Sequence, residues 1–267
     1  MKFSVITPNF NGARFLETSL ASVASQRGPE TEVEHWIIDG GSTDGSLDII
    51  HRFLGPQTQL ITEPDHGPAD AINKGLCRAT GDVVAWLNAD DCYHSDTLQR
   101  VAAMLANHSR APFVFGACRI VDEAGAEIRR GITRFKEMFF PISSRFTFQC
   151  INYISQPAMF FRRTALTRAG FLRVDLTAAW DYEFMLRLWR QGRAARVLGA
   201  PLANFRWHPG SISGQTFCRQ FREEWEAAAA DAGRFSPQAL FHLGVRFGIV
   251  GSYTLMAACR SQGDSCA

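Results

Sequence analysis

Apolar runs alternate with helix-period segments through the first half of this chain. FSVIT (3–7), HWIID (35–39), TQLIT (58–62) and VVAWLN (83–88) read as strands, and the spacing between them predicts helices over about 13–26, 43–53 and 68–79. Strands joined by helices of this length imply right-handed βαβ units, hence an α/β fold with a mostly parallel central sheet flanked by helices. The runs are continuously apolar, which predicts a sheet covered on both faces.

The second half differs in texture. PFVFGACRIVD (112–122) and QPAMFFRR (156–163) are predicted strands, and a helix is predicted from Trp180 to Gln191 with Tyr182, Met185, Leu186 and Trp189 on its buried face. Between them lies a basic, aromatic stretch, RFKEMFFPISSRFTFQC (134–150). No linker or internal repeat separates the halves, so one unit is expected over 1–215, divided into 1–111 and 112–215, with a C-terminal helical extension over 216–267. The tail LFHLGVRFGIVGSYTLMAAC (240–259) is apolar, yet His242, Arg246 and three glycines interrupt it. That pattern favours a helix packed on the domain or lying on a membrane surface over one that spans.

Composition adds limits. With 46% hydrophobic and 20% charged residues in 267, the chain is an ordinary globular one, so disorder is expected only at its ends. A formal net charge of +2 supplies no electrostatic reason for a nucleic-acid partner, and none is expected. The opening MKFSVITPNFNG has no long apolar stretch or small-residue cleavage site, which leads us to expect a cytosolic protein. Seven cysteines without C-x-x-C spacing suggest neither a disulfide framework nor a zinc site; most are read as small buried hydrophobes.

In an open parallel sheet, ligands bind beyond the carboxyl ends of the strands. Those ends are Thr7, Pro8 and Asn9; Asp39, Gly40, Gly41 and Ser42; Glu63, Pro64 and Asp65; and Asn88, Asp90 and Asp91. All four are polar and three carry aspartate. Adjacent carboxylates where a buried strand stops suit a hard divalent cation, which shares carboxylates with substrate phosphates. An Asn/Asp turn is the plainer alternative. Neither G-x-G-x-x-G nor G-x-x-x-x-G-K-[ST] is present, which removes the dinucleotide-binding and P-loop classes.

The loops read TPNFNG, DGGSTDGS, EPDHGPADAINKG and NADD, followed by WDYEF (180–184) and HPGSIS (208–213). Six such strings in this order resemble the family 2 glycosyltransferases of the GT-A (Rossmann-like) fold, over roughly residues 1–215. The resemblance implies transfer of a sugar, with inversion, from a nucleotide-diphospho-sugar to an acceptor hydroxyl, with Mn²⁺ or Mg²⁺ holding the diphosphate. It makes 1–111 the nucleotide-sugar half and 112–215 the acceptor half. A UDP-sugar is the expected donor and a saccharide or lipid-linked saccharide the expected acceptor, in surface polysaccharide or glycoconjugate synthesis at the inner face of the cell membrane.

By motif, Thr7, Pro8 and Asn9 would border the nucleotide, and Asp39 would accept from the base while Gly40 and Gly41 let the backbone pass close, with Ser42 beside them. Asp65, Asp70 and Asn73 would line the donor pocket; Asp65 also sits where it can cap the next helix. Lys74 reads as a solvated helix face. NADD matches the D-x-D-type metal motif, with Asp90 near ribose and metal and Asp91 the direct ligand. Asn88 departs from the aspartate often found at the first position and brings no charge. His208 matches a histidine that closes over the metal or diphosphate.

An inverting displacement needs one general base. Asp181 of WDYEF is the candidate and Glu183 the reserve, a helix cap being the alternative for Asp181. In the aromatic stretch, Arg134, Lys136 and Arg145 with Phe135, Phe139 and Phe140 would meet an acceptor sugar or anionic lipid, or else form a surface loop. Two other readings stay open: a non-catalytic donor-binding partner subunit, to which Asn88 points, and a sugar nucleotidyltransferase, from which TPNFNGARF departs by lacking a Gly-rich basic loop.

Overall fold

The structure is a computed structural model that describes residues 1–28 and 31–248. Its first half runs β1 (Lys2–Asn9), α1 (Ala13–Ala24), β2 (Glu32–Asp39), α2 (Ser46–His51), β3 (Thr58–Thr62), α3 (Pro68–Leu76) and β4 (Val83–Trp86). The register of this parallel block aligns Asn9 with Asp39 and Asp39 with Thr62. The strand ends therefore reach one edge, where the loops meet.

The apolar runs behave as strands covered twice. Along β4, Val84 and Trp86 join the cluster under α3, while Val83 and Ala85 join the cluster on the opposite face. Side chains alternate across a strand, so only an unbroken apolar run supplies both layers.

The chain continues through β5 (Cys92–Tyr93), α4 (Thr97–Asn107), β6 (Phe113–Gly116), β7 (Cys118–Val121), α5 (Arg130–Glu137), α6 (Arg145–Cys150), β8 (Met159–Arg162), α7 (Arg163–Ala169) and α8 (Trp180–Trp189). It ends in β9 (Ala195–Val197), β10 (Ala203–Arg206), α9 (Ile212–Gln215), α10 (Phe217–Ala232) and a helix over 237–248, α11. The main sheet has the order β3-β2-β1-β4-β8-β6-β9, with β8 antiparallel to both neighbours; β5-β10-β7 forms a second, small sheet.

Three expectations change. The single strand over 112–122 is two strands in different sheets. The chain turns after Gly116, where a Cβ would lie 2.6 Å from Leu202 Cδ1. The stretch 134–150 is not a surface loop but mostly helical, with Phe140 and Phe148 buried against Tyr153. Of the five described cysteines only Cys118 is buried, Cys77 and Cys218 being exposed. Helix α8 exceeds its prediction, since Trp180, Phe184 and Leu188 are buried along with the expected face.

Helix α10 packs on α8 and α6. Its Asp231 accepts from Arg145 Nε at 3.0 Å and Gln149 Nε2 at 2.6 Å and is also bonded by Arg190. No described helix is long and apolar enough to cross a membrane. In α11, His242 is buried and Val245 packs on the core; the rest of the 240–259 tail, beyond residue 248, lies outside the described residues.

Helix α3 fits closely on β1, where a Cβ on Gly75 would lie 2.5 Å from Ile6 Cγ2. Overpacking a filled core costs about 1–3 kcal/mol. Gly75→Ala should therefore lower the unfolding midpoint by several degrees in a thermal melt, despite alanine's better helix propensity. An unchanged or raised midpoint would mean that α3 is free to shift.

Candidate active site

A cavity of about 1390 Å³ opens beyond the carboxyl ends of the strands. Drug-sized ligands fill roughly 300–1,000 Å³, so there is space for more than one small molecule. Pro8, Asn9, Asp65, Asn88, Asp90, Asp181 and His208 line it, bringing seven of the predicted residues together. The other predicted residues stand behind the wall or away from it.

Asp39 is fully buried. Its Oδ1 accepts from the Gly41 and Ser42 amides at 3.0 and 2.9 Å, and its Oδ2 from Asn9 Nδ2 and Ser42 Oγ at 2.7 and 2.6 Å. An ionised carboxylate has about four acceptor positions, so these donors occupy it. In this conformation Asp39 ties the first two loops together instead of facing a base, and Ser42 completes the tie by accepting from the Asn11 amide at 2.8 Å. Gly40 serves a close approach, though to protein: a Cβ there would lie 2.5 Å from Asp65 Oδ2.

Thr7 turns away from the cavity to pair with His35 Nε2 at 2.8 Å. Burial holds that imidazole well down, to about 3, so it is neutral. Asp65 accepts from the Gly67 amide at 2.9 Å, but the cap residue of α3 is Gly67 itself. Asp70 reaches back to the His66 amide at 3.0 Å, and Asn73 bonds both the amide and carbonyl of Leu172 at 2.9 Å. Both are thus scaffolding contacts outside the cavity wall. Lys74 is held by Pro64 O at 2.7 Å and Glu63 at 3.3 Å rather than by solvent alone.

The two aspartates of NADD take opposite positions. Asp91 is 1% exposed, accepting from the Arg206 amide at 2.8 Å and from Asn88 Nδ2 at 3.3 Å. Burial, then the neighbouring Asp90 charge, push its carboxyl well above the usual range. Asp90 faces the cavity, with His208 Nε2 3.1 Å from its Oδ2. The expected order of exposure is reversed: Asp90 faces the cavity and Asp91 lies buried beneath it.

Arg206, absent from the sequence reading, organises this corner. It is 6% exposed, and besides its amide bond to Asp91 it donates through Nε to Asp90 O at 3.0 Å and through Nη1 to Asp122 O and Glu123 O at 2.8 and 3.0 Å. Its guanidinium also lies over the Phe15 ring at 4.7 Å, and that ring packs against His208. Among the described residues no group of three or more His, Cys, Asp or Glu side chains could hold a metal by itself. An Asp90–His208 pair still fits a cation that takes its other oxygens from phosphates and water.

Asp181 also lines the cavity, in the first turn of α8, where its Oδ1 accepts from the Tyr182 amide at 2.7 Å; the amides just before the helix are met by Glu223 of α10. The Glu223 carboxylate accepts from the Thr177, Ala178 and Ala179 amides at 2.9–3.2 Å. Only Oδ1 of Asp181 carries the Tyr182 bond. Burial first, and the nearby Glu224 second, raise its carboxyl to about 6. Glu183 lies outside the lining and is paired with Arg187 at 2.8 Å, which removes the reserve base. Of the aromatic stretch, only Phe135 and Lys136 reach the cavity among the residues singled out; Arg145 is committed to Asp231.

Comparison with known proteins decides the family. The model of "Glycosyl transferase family 2" matches residues 4–170. The chain belongs to that family. A "PGL/p-HBAD biosynthesis glycosyltransferase" of Mycobacterium bovis (strain BCG / Pasteur 1173P2) is 34% identical over 186 residues, 67% of each chain. The poly(ribitol-phosphate) beta-N-acetylglucosaminyltransferase TarS of Staphylococcus aureus (strain Mu50 / ATCC 700699) is 33% identical over 111 residues, 40% of this chain and 19% of that one. Among solved structures, S. aureus TarS 1-349 in complex with UDP-GlcNAc aligns with a TM-score of 0.70 at 21% identity, covering 90% of this chain and 69% of that one. The Pyrobaculum calidifontis mannosyltransferase PcManGT, in complex with GDP-Man and Mn²⁺, aligns with a TM-score of 0.62 at 19% identity, covering 97% and 79%. Both likenesses bear on the fold, which is the GT-A arrangement. The chain is thus an enzyme of the glycosyltransferase class, as its six strings imply.

Asp39 supplies the test of how the loops of this family member are tied. Asp39→Asn replaces one acceptor oxygen by an NH₂ that must face a donor, and an unsatisfied buried polar group costs about 1–3 kcal/mol. The variant should melt several degrees below the wild type; an unchanged midpoint would show that the loops are held by other contacts.

Proposed function

We propose that this glycosyltransferase is metal-dependent and inverting, with Asp181 as general base and Asp90 and His208 as the protein ligands of a divalent cation. One observation carries the reading: a single cavity is lined both by the Asp90–His208 pair and by Asp181, a carboxylate raised to about 6. Mn²⁺ or Mg²⁺ there would offset the charge on a departing nucleoside diphosphate. The chain's own groups do the rest. Asp65 and Pro8, with Asn9 and Asn88, border the space for nucleoside and ribose, and Asp90 and His208 orient the diphosphate. Asp181 accepts the proton of the attacking hydroxyl, for which a base ionising near 6 is better matched than an ordinary carboxylate.

A UDP-sugar donor is supported by the UDP and UDP-GlcNAc complexes of the fold neighbour. A saccharide or lipid-linked acceptor is supported by the glycoconjugate pathway in a relative's name and by the exposed Phe135 at the cavity. Work at the inner membrane face, through peripheral association, is consistent with exposed Leu240, Phe241 and Phe247 on α11.

The nucleotide part is tested by thermal unfolding with UDP, GDP, CDP, dTDP and ADP, each with and without Mn²⁺ or Mg²⁺. A ligand at 100 times its Kd stabilises by about 2.7 kcal/mol, a shift of several degrees. UDP should shift the wild type only with metal, and Asp90→Asn should abolish the shift. A metal-independent shift that survives Asp90→Asn would sink the metal assignment.

Asp181→Asn should reduce turnover by about 10²–10⁴-fold with nucleotide binding retained. The wild-type kcat should fall as pH drops through about 6, because the base must be ionised. Stability runs the other way: a carboxyl raised on folding contributes stability below its unfolded pKa and loses it as pH rises through the folded value. Asp181→Asn should therefore melt above the wild type at pH 8. Loss of nucleotide binding in this variant would instead make Asp181 a donor contact.

A further inference from the structure

The cavity floor beside Asp181 holds a group of side chains that the scheme above leaves unused. Glu224 of α10 is 3% exposed and lines the cavity with Asn152, Gln156, His242 and Lys136. Asn152 Nδ2 and Gln220 Nε2 both donate, at 3.1 Å, to Glu224 Oε1. Among the described residues nothing hydrogen-bonds Oε2, whose neighbour is His242 Nε2 at 4.0 Å.

That histidine cannot supply the missing proton. Its Nδ1 lies 3.0 Å from the Gln149 carbonyl, which only accepts, so Nδ1 carries the hydrogen. Burial lowers the imidazole pKa, which keeps the ring neutral and leaves Nε2 as a lone pair facing Oε2. Tyr182 gives its hydroxyl proton to Phe148 O at 2.8 Å and adds no donor. Gln156, 7% exposed, commits its NH₂ to Trp86 O at 2.8 Å, and its buried Oε1 has no partner among the described residues. Asn152 Oδ1 is likewise buried and unpartnered among them. Lys136 Nζ lies 3.4 Å from Ser155 Oγ. Burial raises the Glu224 carboxyl above its ordinary range, and the Asn152 and Gln220 bonds and then the Lys136 charge act against that rise.

Three oxygens of the floor, Glu224 Oε2, Gln156 Oε1 and Asn152 Oδ1, thus lack a donor among the described residues, with Lys136 the one charged donor of the group. Buried polar atoms without partners are few in native proteins and call for a missing water or ligand. A ligand that carries several hydroxyls, which donate to these oxygens and can accept from Lys136, matches this floor. We propose that Glu224, with Asn152, Gln156 and His242, forms an acceptor subsite for a polyhydroxylated ligand, a sugar ring, and holds that ring so that one hydroxyl meets Asp181. The proposal rests on the assignment of Asp181 as base. Glu224 acts as a positioning residue: it binds hydroxyls that do not react, and no proton leaves through it.

The test compares wild type, Glu224→Gln, Glu224→Ala and Asp181→Asn with UDP-GlcNAc, UDP-glucose and GDP-mannose, each with Mn²⁺. Nucleotide release is measured in water alone, with methyl glycosides and with 1-propanol. Methyl glycosides should accelerate release by the wild type more than propanol does. Glu224→Gln should raise the glycoside KM at least tenfold while changing hydrolysis in water and donor KM by less than threefold, with Glu224→Ala more affected than Glu224→Gln. Both variants should also move the acid limb of the pH profile downward, since a negative charge beside Asp181 is lost; the split between glycoside KM and hydrolysis is what a purely structural role would not produce. An unchanged glycoside KM, an equal loss of hydrolysis and transfer, or propanol matching the glycosides would each overturn the subsite. Full activity of Asp181→Asn would instead overturn the base assignment, and a donor turned over by none of the proteins would overturn both.

Discussion

The site depends on one buried arginine. Arg206 clasps the segment before β5 to the turn after β7 by meeting Asp91 with its amide and the carbonyls of Asp90, Asp122 and Glu123 with its guanidinium. A buried guanidinium is expensive unless its donors are satisfied, and here carbonyl oxygens and an aromatic face supply the partners. Because β10 pairs with both β5 and β7, this clasp fixes where the chain emerges after Arg206. His208, two residues on, therefore arrives at Asp90 from a strand that is distant in sequence.

Another part of the cavity wall is fixed by α10. Three of its acids do separate work: Glu223 satisfies the amides before α8, Glu224 faces the cavity, and Asp231 gathers Arg145, Arg190 and Gln149. Helix starts leave amides unsatisfied, and a carboxylate from another helix completes them while its charge favours the positive end of α8. The work at the start of α8 is shared: Glu223 meets the amides before the helix, and Asp181 Oδ1 meets the Tyr182 amide while the residue lines the cavity.

What the sequence made legible was local. Continuous apolar runs gave the strands of the parallel block, and the alternation of Val83 to Trp86 between two core clusters shows why that signal is strong. The positions of Asn9, Asp65, Asp90, Asp181 and His208 followed from strand ends and ordered motifs. What was not legible depended on partners far along the chain. The choice between Asp90 and Asp91 turns on an amide 115 residues away. Glu223 and Glu224 look like a solvated charge run within REEWE until α10 is packed, and no periodicity distinguishes them from Arg222 or Glu226 on the same helix. The 112–122 run misled because both of its strands are apolar, while the break between them comes from packing of Leu202 against Gly116.

Asn88 can be read in the same terms. It stands where the metal motif often has aspartate, and its Nδ2 donates to Asp91 Oδ2. With Asp91 buried and Asp90 beside it, a carboxylate at position 88 would place a third negative charge against a group whose pKa is already raised by burial and by a like charge. An amide at that place removes the repulsion and supplies a donor to the buried oxygen. The substitution therefore does not argue for a lost site. It makes the support beneath Asp90 self-consistent without metal, and leaves the cavity-facing charge to the one carboxylate that His208 can reach.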